Sequence, residues 1–199
     1  MLRKIILTVL IIFALSVSFS AAALAQEKKQ NQQKMMEQYM KMMSPNENHA
    51  YFKNFVGEWD VTSTAWMQQG TPPTTSKNSS VAELILGGRF LKMTFKGTMF
   101  GQPFEGLQIV GYDNLKKKFV TFWIDNSSTS FYLTEGTRDV SSNVMTETGL
   151  WPDFMTGGTV KVRAITKMLS NDEFVYEMYM EGPDGKEFEP LENRSVRKK

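Results

Sequence analysis

The sequence predicts an all-β protein: an antiparallel up-and-down β-barrel of about ten strands, preceded by a short N-terminal helical segment. Three observations carry this. From Gly57 onward, helical periodicity gives way to alternation of period two, beginning in Phe55-Val56-Gly57-Glu58-Trp59-Asp60-Val61. Turn signals then recur every ten to fourteen residues or so, which gives hairpins and leaves no room for crossover helices. Finally, that many strands in one open sheet would curl, whereas closure removes both edges.

The chain begins with a short basic head, Met1-Leu2-Arg3-Lys4, and an apolar run from Ile5 to Ser20. Ala23-Leu24-Ala25 then puts small residues three and one positions before Gln26, completing the order of a secretory signal peptide over 1–25. The alternative is an uncleaved anchor, since Ile5 to Ala25 is just long enough to span a bilayer. The serines and the Ala-x-Ala end favour cleavage. Cleavage removes Arg3 and Lys4, and with them the formal excess of +2. The remaining chain has no basic surplus to draw it to nucleic acid or an anionic membrane, and no stable membrane insertion is expected. There is no cysteine, hence no disulfide, no thiolate metal site and no lipidation point. The expected address is the bacterial periplasm or the extracellular space. The expected partners are a small hydrophobic ligand and, as an assembly, a homodimer.

Residues 26–55 read as a flexible and helical preamble to a barrel domain over 56–199. The polar stretch 26–34 has nothing to bury and reads as a frayed start. Met35, Met36, Tyr39, Met40 and Met43 recur at helical spacing and make one short amphipathic helix, a docking face, a lid or a partner surface. Ser44-Pro45 breaks it, and 46–55 forms a second helical turn carrying Tyr51, Phe52 and Phe55. Strands are expected at 57–68, 76–86, 89–98, 104–112, 117–125, 129–137, 143–150, 159–169, 173–181 and 186–197. Gly87-Gly88, Asp113-Asn114, Asn126-Ser127-Ser128 and Gly182-Pro183-Asp184-Gly185 are among the turns between them.

The alternation has a direction. Trp59, Val61, Ser63, Ala65 and Met67 share one face of the first strand. Val160, Val162, Ala164, Thr166 and Met168 do so in the eighth, and Phe174, Tyr176, Met178 and Met180 in the ninth. Placed inward, these faces line a lumen wide enough for one small molecule.

His49, Gly57-Glu58-Trp59, Leu86-Gly87-Gly88-Arg89-Phe90, Gly106, Gly111-Tyr112-Asp113, Trp123-Ile124-Asp125, Gly136 and the closing Arg197-Lys198 form an ordered set over most of the chain. With them the chain resembles the calycin superfamily of lipocalin-like barrels. More closely, it resembles DUF1579, a bacterial family named as a domain of unknown function. The resemblance implies a barrel and no established activity. It also implies that Trp59 closes one end beneath a C-terminal arginine, Arg197 or Arg194, with Gly57 turning the chain in. By analogy with fatty-acid-binding barrels, Arg89 is either an anchor for an anionic head group or a rim salt bridge.

The residues limit the chemistry. His49 is the only histidine and lies outside the strands, so it reads as a capping or packing group. No Gly-x-Ser-x-Gly, no His-Glu-x-x-His and no second histidine exists for a nucleophilic or metal site. Haem, the cofactor of nitrobindin-like relatives, would need an axial histidine in the lumen; Met178 and Met180 are weak substitutes. No cofactor and no metal are therefore expected. Glu83, Glu105, Glu135, Glu147, Asp113 and Asp125 offer carboxylates, of which Asp113 and Asp125 read first as turn formers. The expected activity is non-catalytic binding in the lumen, with Arg89, Trp123, Asp125, Phe174, Tyr176 and Met178 as ligand contacts. Trp151 is expected at a barrel mouth. An enzyme working on a lipid-like molecule in the same cavity is the second reading. It requires an ionisable residue facing the lumen with a displaced pKa. An envelope interaction module using the Met-rich helix is the third.

Overall fold

A computed structural model describes Leu24 and residues 26–199, apart from Met155 and Pro183. The signal-peptide reading of 1–25 thus lies almost wholly outside the described residues. The chain divides into two units, residues 1–44 and Pro45–Lys199.

In the first unit, helix α1 runs through 26–43. It includes 26–34, where a frayed start was expected. Gln, Lys and Glu are good helix formers, and no Gly or Pro interrupts them before Pro45. The Ser44 hydroxyl donates to the Met40 carbonyl at 2.7 Å where the helix ends. Met35, Met36, Tyr39, Met40, Met42 and Met43 are all exposed.

The second unit opens with two short helices, α2 (Glu47–Ala50) and a 3-10 turn, Tyr51–Phe55. His49 serves as a cap and a packing group. Its Nδ1 accepts from the Asn46 backbone N–H at 3.1 Å, and its ring packs edge-on against Phe52 and Tyr112. The turn's Tyr51, Phe52 and Phe55 are buried.

Ten strands follow: β1 (Gly57–Ala65), β2 (Thr74–Ile85), β3 (Phe90–Met99), β4 (Gln102–Asp113), β5 (Lys118–Asp125), β6 (Tyr132–Asp139), β7 (Val144–Pro152), β8 (Thr159–Ser170), β9 (Glu173–Glu181) and β10 (Glu187–Arg197). Each pairs antiparallel with the next, and β1 pairs with β10 from Trp59↔Arg197 to Ala65↔Leu191, which closes the barrel. Closure leaves no row of unpaired backbone groups at a sheet edge.

Most strand boundaries shift by one or two residues from expectation, and two shift by three. β1 stops at Ala65, and Met67 is exposed in the turn beyond it, not inward. β6 starts at Tyr132 because Asp125 and Ser128 hold the preceding residues in turns. Asp125 Oδ1 accepts from the Ser127 N–H and hydroxyl, and Ser128 Oγ accepts from the Ser130 N–H. The core lies at the end where the 3-10 turn meets the strands, among Phe52, Phe55, Trp59, Val61, Phe119 and Phe174.

Candidate functional site: the lumen and its two ends

At one end the barrel is sealed. The Trp59 side chain is fully buried, its ring centroid 4.7 Å from that of Phe174, and its indole N–H donates to the Phe55 carbonyl at 2.7 Å. The Arg197 guanidinium lies 4.2 Å from the centre of the Trp59 ring. It donates to the carbonyls of Val56, Asn54 and Asn171 and reaches Asp172. Gly57 has φ +131°, and a Cβ there would lie 2.7 Å from Arg197 Nη1. Only glycine accommodates both constraints. Gly57, Trp59 and Arg197 thus lie together at this end, whereas Arg194 pairs with Glu173.

Above this plug lies a cavity of about 320 Å³. Its floor is aromatic, from Tyr51, Phe52, Phe55 and Phe174. Its far end is lined by Trp123, Phe104, Met99, Trp151 and Met180. Between them runs a polar waist. Thr121 and Thr134 are directly opposite across β5 and β6, Thr166 is opposite Tyr176, and Tyr176 is opposite Asn193. Glu147 enters this waist from β7, on the same strand face as Met145 and Trp151.

Glu147 is 3% exposed. The Thr121 hydroxyl donates to its Oε1 at 2.8 Å, and the Thr134 hydroxyl is a second partner. Burial pushes its pKa up to about 7, against the opposing pull of those two hydroxyls. Burial also raises the Tyr176 phenol, and the nearby Glu147 carboxylate raises it further. Three buried polar atoms on the cavity wall have no hydrogen-bond partner: Tyr51 Oη, Trp151 Nε1 and Asn193 Oδ1. Buried polar groups are usually paired, so three unpartnered atoms on residues of one cavity wall are unusual.

Five of the six expected ligand contacts, Trp123, Asp125, Phe174, Tyr176 and Met178, line this one cavity. Asp125 also forms the turn expected of it, while its Oδ2 accepts from the Trp123 indole at 2.7 Å and fixes the ring across the lumen. Gly106 on β4 makes room for that ring: a Cβ there would lie 2.2 Å from Trp123 Cη2. Beyond Trp123 a smaller space of about 90 Å³ is walled by Ser63, Ser76 and Asn78, with the Asn78 amide donating to both hydroxyls.

Arg89 is the exception. It lies outside the cavity, exposed beside the turn Leu86-Gly87-Gly88, where it donates to the Leu86 carbonyl at 3.4 Å. All three turn residues have positive φ, which carries Arg89 around the end of the barrel instead of into it. Asp113 is a turn former too, accepting from the N–H groups of Leu115 and Lys116. Among the described residues, no group of three or more His, Cys, Asp or Glu could hold a metal ion.

A family model described as "Protein of unknown function (DUF1579)" matches residues 44–197. The chain belongs to the DUF1579 family. Among curated proteins, none matches this DUF1579 chain. Among solved structures it is similar to the S-type phycobiliprotein lyase CPES from Guillardia theta, at 9% identity and a TM-score of 0.56, covering 76% of this chain and 93% of that one. A redesigned β-barrel is matched at 16% identity and a TM-score of 0.41, covering 74% and 95%. The likeness to the lyase is one of fold alone.

Glu147 is the residue that sequence reasoning undervalued. It stood as one of several scattered carboxylates. A usable signal was present: in Met145-x-Glu147-x-Gly149-x-Trp151 the glutamate shares strand parity with two large apolar residues.

Proposed function

We propose that this protein is an exported barrel that takes up a small, largely apolar or amphipathic molecule in its lumen without transforming it. The observation that carries the reading is the cavity of about 320 Å³, apolar at both ends with a narrow polar waist. That size falls within the range of roughly 300–1,000 Å³ typical of small-molecule sites. Affinity would come from removing apolar ligand area from water against Trp123, Phe174 and Met178, at about 25 cal/mol per Å². Orientation would come from the waist. Export rests on the basic, apolar and small-residue order of 1–25. Incubating the purified protein with a lipid and metabolite extract, followed by native mass spectrometry, tests the reading. A retained small molecule is expected, and Trp123→Ala should weaken its retention. A protein that retains nothing overturns the reading.

One observation favours the second reading, an enzyme in the same cavity. Glu147 is a buried lumen carboxyl poised near neutral pH, which suits general acid–base work such as isomerisation or hydration of a lipid-like substrate. Mass spectrometry of the same extract, before and after incubation, separates the two readings. A compound consumed by the native chain and spared by Glu147→Gln supports the enzyme; an unchanged extract rules it out.

A further inference from the structure

The lumen contains two carboxyl groups, Glu147 and Asp125, and among the described residues that line it there is no Lys, Arg or His. We infer that the ligand is an amphipathic amine, whose ammonium group pairs with Glu147 while its apolar body fills the mouth half of the cavity. This deepens the lumen-binding reading and rests on it.

The argument begins with what surrounds Glu147. From β5, the Thr121 hydroxyl donates to Oε1; from β6, Thr134 supplies a second hydroxyl. Across β8, its pairing neighbour is Ala164, which offers no polar side chain. From β9 comes the Tyr176 phenol, and the 3-10 turn brings the unpartnered Tyr51 hydroxyl to the same cavity. The Tyr51 ring is itself covered by Arg138, whose guanidinium stacks at 4.0 Å and bonds Asn143. The Arg138 charge is not among the influences on Glu147. Glu147 therefore faces neutral hydroxyls and apolar walls and has no cation of its own.

A carboxylate buried in this way is costly unless it is paired, and the protein supplies hydroxyl donors but no counter-charge. A ligand ammonium supplies the missing charge, with three N–H donors for the carboxylate. A ligand carboxylate would meet two like charges and no cation. The aromatic walls at the mouth, Trp123 stacked near Phe104 and Trp151 edge-on to Tyr132, also favour a cation passing inward. Asp125 is the competing acceptor, but both its oxygens are already held, by the Trp123 indole and by Ser127.

The test uses a matched series, octylamine, octanol and octanoate, displacing the fluorescent apolar probe N-phenyl-1-naphthylamine from the whole purified protein. At pH 8 octylamine should displace the probe at a concentration roughly tenfold or more below that of octanol, with octanoate weakest; tenfold corresponds to about 1.4 kcal/mol. The amine preference should shrink as pH falls to 5 and Glu147 takes up its proton. It should vanish in the isosteric Glu147→Gln, whose fold is checked by circular dichroism and by retained octanol binding. Asp125→Asn should keep it. Equal potency of amine and alcohol at pH 8, or a preference surviving in Glu147→Gln, overturns the proposal while leaving lumen binding intact. A probe that never enters removes the lumen-binding reading, and this proposal with it.

Discussion

The Trp59–Arg197 plug and the cavity above it treat their polar groups differently, although Ser80 Oγ, opposite Trp59, is also buried without a partner. At the sealed end, the Arg197 guanidinium donates to three backbone carbonyls, and the Trp59 N–H has its partner in Phe55. In the lumen half, Tyr51 Oη, Trp151 Nε1 and Asn193 Oδ1 are buried and unpartnered, and Glu147 has hydroxyls but no cation. A network that satisfies every member rigidifies a core, whereas one left incomplete costs stability and is kept where something else completes it. The difference teaches where to look: one end holds the fold together, and the other is where we propose that a guest binds.

The largest effect should come from breaking the sealed end. Trp59→Ala removes the largest fully buried side chain and strips the apolar face from under Arg197. A loss on the order of 3–5 kcal/mol is expected, read by urea unfolding. A loss below about 1 kcal/mol would mean that Trp59 is no plug.

The lumen half should show itself through pH. Glu147 keeps its proton up to about pH 7 when folded, whereas an unfolded glutamate releases it at roughly 4.3. The native state therefore binds more protons across that window. Its contribution to stability is full below the unfolded value and is lost as pH rises through 7. At about 1.36 kcal/mol per pKa unit the full loss is on the order of 4 kcal/mol. Unfolding of the native chain and of Glu147→Gln at pH 5 and pH 8 isolates it: the native midpoint should fall with pH more steeply than that of the variant. Parallel pH dependence would show that Glu147 is hydrated rather than buried.

A smaller effect is expected where Trp123 crosses the lumen. Gly106→Val must push the indole off its place, because even a Cβ would lie 2.2 Å from it. Binding of N-phenyl-1-naphthylamine should weaken by roughly tenfold, or about 1.4 kcal/mol, by fluorescence titration. Unchanged affinity would place the guest elsewhere. The smallest effect belongs to Arg89→Ala: since Arg89 lies outside the cavity, the same titration should show no change. A large loss would restore Arg89 as an anchor.

The ten-strand closed barrel was legible because a period-two pattern between regular turns leaves few other solutions, and the run from Gly57 to Val61 marks where it starts. Trp123, Phe174, Tyr176 and Met178 could be read as lumen residues from strand parity alone. Arg89 could not be placed, because its direction depends on three consecutive positive-φ residues in the turn before it. Glu147 was hidden for a different reason. Among six scattered carboxylates, sequence cannot distinguish the one desolvated by neighbours from four other strands and the 3-10 turn. In 26–34, composition argued against a buried face, but helix propensity alone suffices to keep the segment helical.

The central claim is that the two ends differ in kind, one a plug and the other a receptor for a guest. The four tryptophans report this directly through their indole N–H resonances in a two-dimensional NMR spectrum, recorded while N-phenyl-1-naphthylamine is added. The account predicts saturable shifts of the Trp123 and Trp151 signals, with the Trp59 signal unmoved. Equal movement of Trp59, or no movement of Trp123 and Trp151, would contradict it.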